Sequence, residues 1–257
     1  MSMAENINGN MGERDPSLRG VVGIQNLGNT CYANSTIQII RAVPELSALI
    51  VSDDLKKSII DESSKPAKVI LAYQDLIRPM WSAYRPSYVR PLGFLTEIRS
   101  CVKGSVYESF AMPMQNDSHE YLVYLLDQFH EALNENSKIA VSDISDKKDK
   151  SMDELAEDGW ASFISRNKSP IVDNCFGMIR QTTECQKCFS KSYQWQTFNV
   201  FKIPCDGELF KEWIKNEFKP DELDDYVCEK CKPERQKAII FRHIWRLPKI
   251  LFMSVRR

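Results

Sequence analysis

Apolar residues recur at helical spacing through the first half of the chain and shift to alternation in the last third. Behind Cys31, the residues Ala33, Ile37 and Ile40 share one helical face until Pro44 stops the pattern. Pro66 reads as the first residue of a second helix, with Val69, Tyr73, Leu76, Ile77 and Met80 on its apolar face and Pro79 ending or kinking it. Pro86 and Pro91 mark a loop, after which Phe94, Leu95 and Ile98 predict a short helix. The best-defined helix begins at Asp117-Ser118-His119-Glu120, which has the form of a capping box. Its stripe is Tyr121, Leu122, Leu125, Leu126, Phe129 and Leu133. Residues 1–19 are polar and read as a flexible tail. Residues 137–158 are rich in Lys, Asp, Glu and Ser and read as an exposed insertion, with at most a short helix from Met152 to Glu157. From Ile171 onwards strands are predicted over Cys175–Thr183, Tyr193–Ile203, Lys237–Trp245 and Lys249–Val255. Helices first and strands later indicate an α+β fold.

Composition narrows the class. The 257 residues carry a net charge of −1 and are 43% hydrophobic, which suits a sizeable core and gives no basic excess for nucleic acid. No apolar run is long enough to span a membrane, so no membrane partner is expected. Nothing at the start resembles a signal peptide, which predicts an intracellular setting, cytoplasmic or nuclear. There, eight cysteines are not expected to form a disulfide framework.

Two groups of cysteines carry candidate chemistry. Cys31 ends the Gly- and Asn-rich run Gly23-Ile24-Gln25-Asn26-Leu27-Gly28-Asn29-Thr30 and opens a helix. A thiol there faces unpaired backbone N–H groups and the positive end of the helix dipole, both of which favour a thiolate nucleophile. Asn26, on the turn, offers an amide to an oxyanion formed at Cys31. The alternative is a buried structural cysteine, and the Asn and Gly residues around it weigh for the nucleophile. Cys185-x-x-Cys188 and Cys228-x-x-Cys231 form two knuckles separated by strand-like sequence. Four thiolates suit one tetrahedral, closed, structural Zn2+, with the intervening chain returning to a common tip.

These features together resemble the ubiquitin-specific protease family of cysteine deubiquitinases. The run Gly23 to Ser35 matches the family's cysteine box, and Gln115-Asn116-Asp117-Ser118-His119-Glu120-Tyr121-Leu122 resembles its Gln-Gln-Asp-x-x-Glu-Phe-Leu motif, with Asn116 and Tyr121 departing from it. Trp160, Asn167, Ile171, Phe176 and Gly177 fall in the family's order, and Leu247-Pro248-Lys249-Ile250-Leu251 resembles its Leu-Pro-x-x-Leu strand. The resemblance implies a papain-like hand after a disordered tail at 1–19. Residues 20–136 would form a helical thumb, 137–158 a charged insertion, and 159–257 zinc-tipped β fingers with the start of an incomplete palm. It implies a thiol protease acting on ubiquitin and ubiquitinated proteins. Cys31 would attack the carbonyl of ubiquitin's C-terminal glycine, Asn26 would hold the oxyanion, and Gln115, Asp117 and Glu120 would line the channel for ubiquitin's tail. The family's general base is a histidine in a Gly-His-Tyr-type box, followed by an orienting Asp or Asn, and neither box is present in these residues. Of the three histidines, His119, His130 and His243, none is placed by its sequence surroundings to act as that base. The expectation is therefore the N-terminal portion of a deubiquitinase catalytic domain, doubtful in activity by itself. The alternatives are a non-catalytic ubiquitin-binding pseudoenzyme or a zinc-stabilised interaction module.

Overall fold

Helices make up most of the first of two units into which the chain divides, between Asn134 and Glu135, in a computed structural model that describes residues 19–136 and 150–256. Two short strands, β1 (Gly23–Ile24) and β2 (Tyr88–Val89), pair in parallel, and α1 (Cys31–Arg41) follows β1. Pro44 does stop the first helix, but it also opens a second, α2 (Pro44–Val51), because proline at N1 loses no helical hydrogen bond. α3 (Lys65–Trp81) is capped by Ser64, whose hydroxyl accepts from the Ala67 N–H; the helix runs past Pro79 and stops two residues later. α4 (Leu92–Val102) and α5 (Ser118–Leu133) complete the unit, with α3 packed on both and α1 on α5. Asp117 caps α5 by accepting from the His119 N–H at 2.7 Å. The bond goes to the second helical residue and not to Glu120 at the third, so this cap differs from the expected capping box. Ile37, Ile70, Tyr73, Ile77, Met80, Leu125 and Phe129 are fully buried between these helices, each worth about 1.5–3 kcal/mol of burial. Tyr73 packs its ring against Phe129 at 4.9 Å and satisfies its buried hydroxyl by donating to the Ile37 carbonyl at 3.2 Å.

In the second unit, α6 (Met152–Ile164) is longer than the short helix expected inside the charged insertion. A reciprocal box between Ser151 and Glu154 starts it, and Trp160 and Phe163 extend it as neighbouring rings 5.5 Å apart. The expected tail up to residue 18, and the insertion over 137–149, lie outside the described residues. α7 (Pro170–Cys175) takes up the start of the first predicted strand. The strand proper, β3, spans Gly177–Cys185 and pairs antiparallel with β4 (Lys191–Phe198). The alternation of Tyr193–Ile203 hides a break at Asn199. β5 (Val200–Pro204) leaves the sheet and pairs in parallel with β8 (Phe252–Arg256) instead. Between them come α8 (Phe210–Glu217), β6 (Asp221–Val227) and β7 (Arg235–Arg246). The main sheet has the order β4-β3-β7-β6. Neither α8 nor β6 is evident from periodicity. β6 is an exposed, acidic edge strand that pairs antiparallel with β7 and adds Arg235–Asp225, Lys237–Asp224 and Arg242–Asp221 ion pairs across the two strands. No helix among the described residues is long and apolar enough to cross a membrane.

Candidate active site and metal centre

Cys31 is exposed at the first position of α1. The loop before it turns through two consecutive left-handed residues, Gly28 (φ 93°) and Asn29 (φ 51°), which glycine adopts freely and asparagine tolerates. Asn26 holds this turn with the oxygen end of its amide. Oδ1 accepts from the Gly28 N–H at 3.0 Å, the Thr30 N–H at 3.4 Å and the Thr30 hydroxyl at 2.9 Å. Two backbone donors fix the orientation of the amide, so its Nδ2 hydrogens are not what the loop uses. Thr30 is the N-cap residue, yet its hydroxyl turns back to the loop, accepting from the Leu27 N–H at 3.1 Å, and no side chain caps the first turn of α1. Helix starts normally satisfy these amides with a capping oxygen. Here no side-chain oxygen takes up the amides of the first turn behind Cys31, the arrangement by which helix starts can receive an anion.

The rest of the first unit holds this helix start in place. Asn34 donates to the Gln25 carbonyl at 3.2 Å, tying α1 to the end of β1. Asn29 donates to the Pro113 carbonyl at 3.3 Å, and Thr36 on α1 donates to the Ser118 carbonyl at 3.2 Å. These two bonds bring the 113–118 segment, with Gln115 and Asp117, beside the loop that carries Cys31. Tyr32 sits edge-on to Tyr121 of α5 at 5.2 Å and stacks near Phe110, in the turn before α5, at 6.0 Å, so the residue after Cys31 is wedged into an aromatic cluster. Burial raises the Tyr32 phenol above its usual range, and its hydrogen bond to Asn116 partly offsets that. Asn116, a departure from the family motif, thus has a local task. It also donates to the Met114 carbonyl at 3.2 Å. Gln115, Asp117 and Glu120 are all exposed, but Asp117 spends Oδ1 on its cap. In the sequence, Thr30, Tyr32 and Asn34 have no role beyond membership of the matched run, and Asn116 none beyond its departure from the motif; the Asn-x-Gly-Asn-Thr run is an Asx-turn signature that points to the first of them. His130 is buried on α5 and His119 half-buried on its first turn. His243 is exposed on β7, with Nδ1 3.5 Å from Arg180 Nη2.

The second unit assembles the other cysteines. Because β3 and β7 lie side by side with Cys185 opposite Ala238, the β3–β4 and β6–β7 turns emerge at the same end of the sheet. Cys185 and Cys188 lie on one turn, Cys228 and Cys231 on the other, and all four sulfurs fall within 4.8 Å of one another. Cys185 and Cys231 are 4.0 Å apart, and Cys188 and Cys228 3.5 Å. A tetrahedral zinc with bonds of about 2.3 Å needs sulfur spacings of about 3.8 Å, so the four donors fit the ion in both chemistry and size. The sulfurs do not share charge easily. The Ser190 hydroxyl and N–H bring Cys188 down to about 6, whereas the Cys188 sulfur, followed by desolvation, pushes Cys231 up to about 12. A dication is what allows four thiolates to coexist at this range.

A family model described as ubiquitin carboxyl-terminal hydrolase matches residues 22–257. Ubiquitin carboxyl-terminal hydrolase 15 of Xenopus tropicalis is 32% identical over 187 residues, 72% of this chain and 18% of that protein. Ubiquitin carboxyl-terminal hydrolase 9 of Arabidopsis thaliana is 32% identical over 194 residues, 74% of this chain and 20% of that protein. The chain therefore spans about a fifth of the length of these relatives. Among solved structures, the SAGA DUB module Ubp8/Sgf11/Sus1/Sgf73 bound to monoubiquitin contains a chain of similar fold, with a TM-score of 0.67 at 18% identity over 96% of this chain and 50% of that one. The helical unit that opens α1 with Cys31 and the sheet that gathers four cysteines thus fall within one matched stretch, and the chain belongs to the ubiquitin carboxyl-terminal hydrolase family.

Proposed function

We propose that this chain carries the nucleophile and the ubiquitin-gripping fingers of a thiol-dependent deubiquitinase. The exposed Cys31, opening a helix whose first turn no side chain caps, carries the reading. The Cys31 thiolate attacks the carbonyl carbon of ubiquitin's C-terminal glycine. The bond to the substrate amine breaks, the amine leaves with a proton, and water hydrolyses the resulting thioester. The Asn26 Nδ2 group and the first-turn amides of α1 receive the oxyanion. Gln115, Asp117 and Glu120 line the path of ubiquitin's basic tail. Cys185, Cys188, Cys228 and Cys231 hold one structural Zn2+, which ties the finger hairpins together. Eight cysteines outside any disulfide, four of them gathered as thiolate ligands, suit a reducing, intracellular setting. The leaving amine needs a general acid, and the reading assigns that role to none of His119, His130 and His243. A second reading is a ubiquitin-binding protein without turnover. Ubiquitin bearing a C-terminal electrophile separates the two. A covalent adduct found by mass in the wild type and lost in Cys31→Ala supports the nucleophile. Binding without an adduct supports the second reading, and neither binding nor adduct refutes both.

A further inference from the structure

Ser190 lies outside the ligand set, yet it faces a sulfur of each knuckle. Its carbonyl accepts from the Cys185 N–H at 3.0 Å, and Phe189 before it takes a left-handed φ of 56°. That turn sends the hydroxyl back to the cluster, with Oγ 3.1 Å from Cys188 Sγ and 3.3 Å from Cys228 Sγ. Backbone donors also reach these sulfurs: the Ser190 N–H meets Cys188, and the Lys230 and Cys231 N–H groups meet Cys228. Each of those serves one sulfur, whereas the Ser190 hydroxyl spans the two hairpins. Four thiolates around a divalent ion leave excess negative charge on sulfur, and donors outside the ligand set stabilise it and orient the ligands. We propose that Ser190 is a positioning residue of the metal centre. Its hydroxyl donates to the Cys188 or Cys228 thiolate and holds the two turns at the spacing a tetrahedral ion requires. The inference rests on the zinc reading above.

The test uses the whole chain loaded with zinc, or with cobalt(II) as a spectroscopic substitute. Ser190→Thr keeps a hydroxyl, and Ser190→Val places a methyl of the same shape there, so the pair differs only in the donor. Zinc affinity by chelator competition is expected to fall about ten- to a hundredfold in Ser190→Val and in Ser190→Ala, while Ser190→Thr stays close to the wild type. The sulfur-to-cobalt charge-transfer band is expected to move to lower energy in Ser190→Val, because a thiolate that loses a hydrogen bond gives up an electron more easily. Equal affinity and an unmoved band in the Thr and Val variants overturn the proposal. Equal weakening in both overturns it as well, since packing alone would then explain the effect. A wild-type chain that takes up neither zinc nor cobalt overturns the zinc reading itself, and this inference with it.

Discussion

Replacing Asn26 by aspartate separates the turn that its Oδ1 holds from the oxyanion role proposed for its Nδ2. The loop uses only the oxygen end of the amide, through three bonds at 3.0, 3.4 and 2.9 Å. A carboxylate oxygen can still accept all three bonds, and its charge at the start of α1 is favourable to the helix dipole. Asn26→Asp is therefore expected to fold with stability within about 1 kcal/mol of the wild type. It has no Nδ2 donor for the oxyanion. Losing one such donor costs about 2.7–4 kcal/mol, a factor of about 10²–10³ in rate. Asn26→Ala loses both, and is expected to be as slow and also less stable, by about 1–2 kcal/mol, because its exposed loop bonds are partly replaced by water. The assay is transfer of ubiquitin from a C-terminal thioester to Cys31, quenched and read by mass. A thiolate leaving group needs no proton, so the rate reports attack and oxyanion stabilisation without a general acid. An Asn26→Asp variant acylated at the wild-type rate would show that Asn26 only builds the turn.

Further outcomes follow from the packing and the thiols. A Cβ at Gly177 would lie 2.5 Å from Phe198 Cζ and 2.6 Å from the Arg246 carbonyl, which cannot move aside, so Gly177→Ala is expected to cost about 1–3 kcal/mol in a urea titration; a loss under about 0.5 kcal/mol contradicts the packing. Phe189 is exposed in a left-handed conformation, so Phe189→Gly is expected to raise the stability of the zinc-loaded chain by about 0.5–1 kcal/mol, and a lowered melting temperature counts against this. Iodoacetamide applied to the zinc-loaded chain at neutral pH is expected to label the exposed Cys31 and Cys205 and to spare the buried Cys101 and Cys175; peptide mapping that finds Cys175 labelled first refutes it. Burial pushes Cys175 up to about 12 and, with Glu97 adding to it, Cys101 up to about 11, both above the ordinary 9.0. Unfolding therefore releases thiol protons at high pH. The contribution of these two groups is fully present below about pH 9 and is lost as pH rises through 11 to 12, which a pH series of urea titrations reads directly.

How much of this was legible depended on the range of the forces involved. The face of α3 could be read because Val69, Tyr73, Leu76, Ile77 and Met80 recur at the period of the helix itself, and all five are buried. The cysteine knuckles were legible because two ligands three residues apart already make half a tetrahedral site. α2 and α8 were hidden. Pro44 serves equally as a stop and as a first helical residue, and α8 buries no side chain fully, relying on Phe218 stacked on Phe201 at 5.7 Å and on Trp213 donating to the Gly207 carbonyl at 2.9 Å. β6 was hidden because its strand conformation comes from backbone pairing with β7, to which exposed ion pairs only add, and not from any alternation of its own.

The sequence by itself determined the chemistry: a cysteine at a helix start after an Asx turn, and two pairs of thiols suited to one soft cation. Short-range geometry carries those features, since a turn and a helix start are built from neighbours in the chain. Only the tertiary structure decided how they are used. It turned the oxygen of Asn26 into the loop, set the 113–118 segment beside Cys31 through Asn29 and Thr36, and ran β3 next to β7 so that cysteines 40 to 46 positions apart share one tip. Those outcomes depend on strand register and on which helix packs on which, and both are settled by burial across long separations that no local pattern encodes.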